Sequence, residues 1–532
     1  VSDARIVVAD RAWRAASLRP VIIYTLVALC FVPVYPHFVS PNEFSRWAVA
    51  ASLFEHRSVE ISSVLPILGS RLEDLSAMEG RTYSNKAPGI ALLAFPGYAI
   101  ARLFVGAPSP RSLRPSMYLM RWFGATLPLL VLALFFRIIA IRLGVADSQV
   151  RQVLLLLLFG TPLFAYGLLL FSHALVAAAL FCAWGVLFIE WDRREKQMHH
   201  EFLAGALLGM AVLSEYPAAL PALILVAGIL WRRGWRSAFR VVLGGLPFAV
   251  ILGLYNQLAF DSPWALSSGF ERDESFRMMA SSGLFGIRFP SVNILFQLLL
   301  SPSRGLFIFT PVLIISVLAL PRALRSLPRE SAWTLMLVPL SLLFLFAGYP
   351  NWHGGWSVGS RYLVAALPFL LFPMLFASVG RIERILAGAS VCASMITAIV
   401  FPFVPPSFAF PWASFSLPLI RSFLMMPNVG HLLGWWAAAV ILSLLLIGVG
   451  WASGRRYMTW FASGFVLWML VGLLGWRDIP ARVSLQRDYI AEVYLEQQGA
   501  MSNRLVPGAT SLRLLQRMAY EKSLPPTSWP FR

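Results

Sequence analysis

Thirteen apolar runs dominate this chain, each close to the roughly 20 residues that a helix needs to cross a bilayer core of about 30 Å. They begin near residues 20, 87, 115, 152, 173, 202, 241, 303, 331, 362, 386, 432 and 457. A chain patterned in this way folds as an all-α polytopic membrane protein. Composition agrees: 58% of the 532 residues are apolar and 13% are charged, where a soluble domain carries charge on roughly a quarter of its residues. The net charge of +19 superficially suits a nucleic-acid partner. Its placement excludes one, because the arginines stand at the ends of apolar runs, where the positive-inside rule puts them. Cys30, Cys182 and Cys392 all lie inside apolar runs, so they read as packing residues with no disulfide or metal framework. The first run lacks a small-residue cleavage site and reads as a retained helix.

Arginine placement orients the segments. Arg5, Arg11, Arg14 and Arg19 put residues 1–19 in the cytoplasm, followed by a first membrane helix at 20–39 and an extracytoplasmic loop at 40–86. Membrane helices fill 87–260, an outer loop follows at 261–302, and further helices at 303–475 carry outer loops at 349–361 and 404–430. Residues 476–532 form a short outer tail. Basic pairs and clusters at Arg232/Arg233/Arg236/Arg240, Arg322/Arg325/Arg329, Arg381/Arg384 and Arg455/Arg456 alternate cleanly as inner loops. Arg137/Arg142/Arg151 and Arg193/Arg194/Lys196 do not, since strict alternation of plain spans puts both groups outside. A broken or re-entrant sixth run with Glu215 near its apex, and a break at Gly124–Pro128 in the third, restore them to the inside and place His173 outside. Irregular backbone at membrane depth needs protein or a wet cavity around it, so these breaks point to a cavity. The expected bundle has about eleven to thirteen spans.

The first outer loop opens Pro41-Asn42-Glu43-Phe44-Ser45-Arg46-Trp47, with apolar residues at 44, 47, 48, 51 and 54. That spacing gives an amphipathic helix on the membrane face, capped by Asn42 and carrying Glu43 and Arg46 as neighbours on its first turn. The plain alternative is an ordinary surface ion pair. The loop closes on Tyr83-Ser84-Asn85-Lys86, and Lys86 is one of only three lysines in the chain. A compact ammonium there reads as selected for an anion, against simple snorkelling at a helix end.

Further outer candidates are Arg304, in a turn feeding an apolar helix, and Asn351, Trp352, His353 and Trp356. The last four combine hydrogen-bonding groups with aromatic faces fit for a sugar, or sit in an interfacial belt. Glu43 and His353 are the candidate ligands should a divalent metal take part, though the seven histidines show no ligand spacing. Met425, Met426 and the aromatics of 408–415 read as lipid boundary, and Glu271, Asp273 and Glu274 as a solvated outer helix.

The ordered set of motifs resembles a family. P-N-E-F-S-R-W on the outer helix, G-R-T-Y-S-N-K-A-P-G-I-A-L-L-A-F-P entering the second run, F-S-H-A-L-V-A-A-A-L at the fifth, L-S-E-Y-P-A-A-L in the sixth and G-S-R-Y-L-V-A-A-L-P-F-L at the tenth are similar to integral-membrane glycosyltransferases of the GT-C superfamily. The branch is the bacterial one of protein O-mannosyltransferases and aminoarabinose transferases, and the likeness covers about residues 15–380. It implies a GT-C-like bundle that moves a sugar from a polyprenyl-phosphate donor to a glycan, lipid or protein acceptor. The reaction would take place on the outer face of a bacterial cytoplasmic membrane, with inversion. It also implies Glu43 as base, Lys86 and Arg361 beside the donor phosphate, and Tyr83, Asn85, His173 and Glu215 near sugar or acceptor. Asn85, His173 and Glu215 depart from the residues that relatives carry at those positions.

Independently of the resemblance, such a transfer needs a base within reach of the acceptor hydroxyl and cations on the leaving phosphate. Glu43 supplies the first, and Lys86, Arg361, Arg46 and Arg304 the second. Two other readings stay open. One is a transporter or lipid-linked-glycan flippase built around the broken helix at Glu215. The other is a polymerase or ligase of surface polysaccharide.

Overall fold

Helix Ser172–Phe188 is apolar on every face and buried along its whole length, so the other helices of the bundle are arranged around it. In this computed structural model the described residues are 16–31, 41–68, 74–109, 112–189, 197–283, 286–301, 304–399 apart from 356, 358 and 379, 435–453, and separate positions between 460 and 470. Expectations for the N-terminal arginines Arg5, Arg11 and Arg14, for Arg193, Arg194 and Lys196, for Trp356, for Met425 and Met426 with loop 404–430, for Arg455 and Arg456, and for the tail 476–532 lie outside the described residues.

The chain is a helical multi-pass membrane protein. Helices Pro115–Arg142, Trp235–Phe260 and Arg329–Ala347 are long and apolar enough to cross a bilayer, and shorter apolar helices pack among them. Trp184, Phe181, Phe369, Phe372 and Phe136 interlock through edge and stacked ring contacts at the centre.

One end of the bundle is basic. Arg137 Nε donates to Ser17 Oγ at 2.8 Å, Arg232 donates to the Phe188 carbonyl at 2.6 Å, and Glu201 ties Arg240 at 2.9 Å and Arg233 at 3.7 Å. Glu201 thereby pins three successive helices, Gln197–Ser214, Ala219–Arg233 and Trp235–Phe260. Gly205, Gly209, Gly244 and Gly245 let the first and third of these approach backbone to backbone, with no room for a Cβ at Gly205 or Gly244.

The sixth run is broken as its sequence indicates. Gln197–Ser214 ends at Glu215, whose backbone is extended, and a 3-10 turn at Tyr216–Ala218 leads into Ala219–Arg233. The break expected at Gly124–Pro128 is absent. Helix Pro115–Arg142 continues through it as a π-helical bulge at Trp122–Thr126, the wide turn that often marks functional positions.

The run beginning at 87 offers another source for the irregular arginine count. Helix Gly89–Val105 doubles back along Leu113–Arg121, with Gly97 against the backbone of Leu119 and Met120. Tyr98 and Arg102 both bond Glu55, at the far end of the amphipathic helix Pro41–His56, and Trp47 Nε1 donates to Ser116 Oγ at 2.8 Å. Arg121 lies at the end of the bundle opposite Ser17 and Arg137, so these three helices form an arm that extends away from the basic end. The arm has its own apolar core of Trp47, Ile90, Ala94, Tyr98 and Met120, separate from that of the bundle. Counting the arm as outside gathers Arg137, Arg142 and the other described basic clusters at one end without any break in the third run.

Candidate functional site

At the end opposite the basic one, the arm, the elbow at Glu215 and two loops converge. The first loop is a β-hairpin, β1 (Leu75–Met78) paired antiparallel with β2 (Arg81–Ser84). Glu79 and Gly80 make its two-residue turn, both with positive φ, the geometry that matches strand twist in a tight hairpin. Leu75 opposes Ser84. One step further along this register, Asp74 faces Asn85 and Lys86. Lys86 Nζ lies 3.0 Å from Asp74 Oδ1, and Asn85 Nδ2 reaches the same oxygen at 3.4 Å. Burial pushes the Asp74 carboxyl up, but Lys86, Arg361 and Asn85 outweigh it and hold the group below its ordinary range.

Arg46 is buried on the amphipathic helix and reaches across to the bundle. Its guanidinium bonds Asn42 Oδ1 at 2.8 Å and Ser172 Oγ at 2.9 Å and stands 3.5 Å from Glu215. Ser172 also bonds Glu215 directly. Arg361 enters from the other side, donating to Tyr362 Oη at 3.1 Å. It presses against Gly354, whose φ of 73° and lack of a Cβ leave the space that the guanidinium occupies. Phe171 lies under both cations, 5.6 Å from Arg46 and 5.9 Å from Arg361. The Nε–H groups of Arg46 and Arg361 are buried with no partner among the described residues. Orphan donors on two cations are costly unless something anionic meets them.

Several sequence candidates fall in this cluster: Arg46, Lys86, Arg361, Asn85, Glu215, and His173, whose ring packs on Tyr166, Phe171 and Tyr362. Others are placed differently. Glu43 is fully buried, with Arg121 bound bidentately at 2.8 and 2.8 Å and the Leu170 N–H at 2.7 Å. Three donors thus hold the carboxylate in which the sequence places the base, two of them on Oε1 and one on Oε2.

Arg304 donates to the carbonyls of His353, Ser357 and Gly355 at 3.0, 2.7 and 2.9 Å and so ties down the loop that carries them. Burial lowers its pKa to about 10. His353 accepts the Gly355 N–H through Nδ1 at 3.0 Å, and burial with Arg304 and Arg361 nearby pushes its pKa down to about 3, leaving it neutral. Tyr83 packs on Phe260 and Trp352 is buried beside His353, while Asn351 gives its carbonyl to the Gly354 N–H within the turn. No group of three or more His, Cys, Asp or Glu side chains that could hold a metal ion occurs among the described residues.

Arg304→Lys offers a check on the loop assignment. One ammonium cannot hold three carbonyls in a fixed fork, so amide exchange in peptides of this loop should rise at least several-fold, with global melting little changed. Unchanged exchange would remove Arg304 from that role.

Asp74, Glu271, Phe171, Ser172 and Arg121 are site residues that sequence reasoning passed over. A signal existed for Asp74, since Glu79-Gly80 between two short strands fixes a register that brings it to Asn85. The others depend on packing between distant segments.

No family model matches the chain, and no curated protein matches it. Among solved structures it is similar to the crystal structure of ArnT from Cupriavidus metallidurans bound to undecaprenyl phosphate, with 18% identity, 86% of this chain and 76% of that chain covered, and a TM-score of 0.47.

Proposed function

We propose that the chain is a membrane glycosyltransferase that moves a sugar from a polyprenyl-phosphate donor to an acceptor hydroxyl at the membrane surface opposite its basic end. By the positive-inside rule that surface is extracytoplasmic, as in a bacterial inner membrane. The observation that carries this reading is the pair of orphan guanidinium N–H groups of Arg46 and Arg361 flanking Phe171, with the Lys86 ammonium close by. Such an array is built for a phosphate, and in a desolvated site each cation acts far more strongly on a leaving anion than in water. The motif resemblance to lipid-linked-sugar transferases points the same way.

In this account Asp74 is the base. Ionised and only partly covered, it accepts the acceptor hydroxyl's proton as the new bond to the anomeric carbon forms and the bond to the phosphate oxygen breaks, with inversion. Lys86 is shared: in the free protein it neutralises Asp74, and an arriving phosphate competes for it, which frees the carboxylate when donor is bound. Glu43 serves by position, fixing Arg121 and Leu170 so that the neighbouring Phe171 and Ser172 meet Arg46. Glu215, the residue around which a transporter would be built, belongs to the same cluster and implies no separate path.

Asp74→Asn tests the assignment. It should keep or tighten binding of farnesyl phosphate while transfer falls about 100-fold or more, the usual scale for a general base. Transfer at the wild-type rate would remove Asp74, and failure of the wild-type protein to bind farnesyl phosphate would overturn the function.

A further inference from the structure

The second outer loop delivers a carboxylate that its sequence gives as part of a solvated helix. Glu271 is half-buried, and both of its carboxylate oxygens lie 2.9 Å from Asn85 Nδ2. Its backbone is stitched to the hairpin: Ser76 and Glu271 form an antiparallel bridge, Arg272 N–H donates to the Leu75 carbonyl at 2.9 Å, and Ser76 Oγ donates to the Ser267 carbonyl at 2.8 Å. Ser267 Oγ donates in turn to the Asn85 carbonyl at 2.9 Å. These contacts fix the loop on Leu75, Ser76 and Asn85, the last of them adjacent to Lys86, which makes the placement of Glu271 a built feature.

The position has an electrostatic consequence. Arg46, Lys86 and Arg361 are matched by Asp74, Glu215 and Glu271, so the cluster is balanced when every group is charged. Neutralising one carboxylate leaves a net positive site. Glu215 is already bonded to Ser172 and faces Arg46, and Asp74 is paired with Lys86. Glu271 has the neutral Asn85 amide as its partner. The groups around it are Lys86 and Asp74 on the hairpin loop, Arg272, Asp273 and Arg277 on its own loop, and Tyr349 on the loop opposite. Burial raises its pKa to about 7, against the pull of Lys86 and Asn85.

Resting on the proposed function, we infer that Glu271 is a further residue of the anion site: it takes up a proton when the donor phosphate binds, and so tunes the affinity of the site for that phosphate. The sign follows from linkage. Above the midpoint Glu271 is anionic in the free protein and opposes the phosphate, so binding draws in a proton. Well below it the group is already neutral and opposes nothing.

The test is titration of the full-length protein with farnesyl phosphate at pH 5.5 and pH 8, wild type against Glu271→Gln, with calorimetry at pH 7.5 in buffers of different ionisation enthalpy. Glutamine keeps an oxygen for Asn85 Nδ2 and removes the charge. At pH 8 the variant should bind about tenfold more tightly, the effect of one charge at roughly 10 Å in an effective dielectric near 20. At pH 5.5 the two should agree, and the ligand's own ionisation cancels in their ratio. Wild type should take up more protons on binding than the variant.

A gain of affinity is an effect that structural damage does not produce. Equal or weaker binding by the variant at pH 8, with wild type binding normally, would overturn the inference and leave the proposed function standing. Absence of binding by wild type would overturn both.

Discussion

Arg46→Met is expected to weaken farnesyl phosphate binding by one to two orders of magnitude and to abolish sugar transfer. One charge-assisted hydrogen bond from Nε at about 1.5–3 kcal/mol, with about 1.4 kcal/mol per tenfold in affinity, gives that scale. Arg361→Met should do the same. If both guanidiniums hold one phosphate, the double variant should lose much less than the sum of the two single losses, since each removal deprives the other of its purpose. Arg46 also ties Asn42 to Ser172, so its loss could act through the fold. Arg46→Lys separates the effects: it keeps the charge but lacks the fork, and should retain partial binding with near-normal melting. Additive losses, or wild-type binding by either methionine variant, would show that the two cations serve different ends.

Glu43→Ala should cost stability above all. Removing one partner of a buried, bidentate ion pair typically costs about 3–5 kcal/mol, because the partner charge is left without compensation. Arg121 is nearly as buried as Glu43 itself, at 3% and 0% exposure. The change should lower the melting temperature in detergent or nanodiscs sharply. Replacing both partners by apolar residues, as in Glu43→Leu with Arg121→Met, should recover much of the loss. A base would behave otherwise: Glu43→Gln would stop transfer with melting unchanged and phosphate binding intact. That outcome would return the base to Glu43.

Much of the architecture can be read from the chain before any coordinates. Apolar run length gives the helical membrane class, and Glu215 with Pro217 marks the elbow because an acid and a proline at mid-run are incompatible with a plain span. The second run is harder to read, for a physical reason. Gly89–Val105 is as apolar as a crossing helix, and periodicity does not tell whether such a helix meets lipid or the arm formed by Trp47, Tyr98 and Met120. Its neighbours decide that, and they come from Pro41–His56 and Leu113–Arg121.

The site shows the same division. Lys86, Arg46 and Arg361 stand out by residue type and position, and the structure brings them to one end. Glu43 stands out equally, but nothing near it in sequence announces that Arg121, 78 residues away, binds it. Glu271 reads as a surface acid until its loop is stitched to β1. Each case turns on a charged group whose partner lies far along the chain, where local pattern carries no information.

The central claim is that Arg46 and Arg361 share one phosphate beside Lys86. A density map of the protein with farnesyl phosphate bound tests it most directly. The account predicts a phosphate over Phe171 within hydrogen-bond reach of both Nε atoms, with Lys86 turned from Asp74 toward it. A phosphate seated elsewhere, with those two N–H groups still unmatched and the Lys86–Asp74 pair undisturbed, would contradict it.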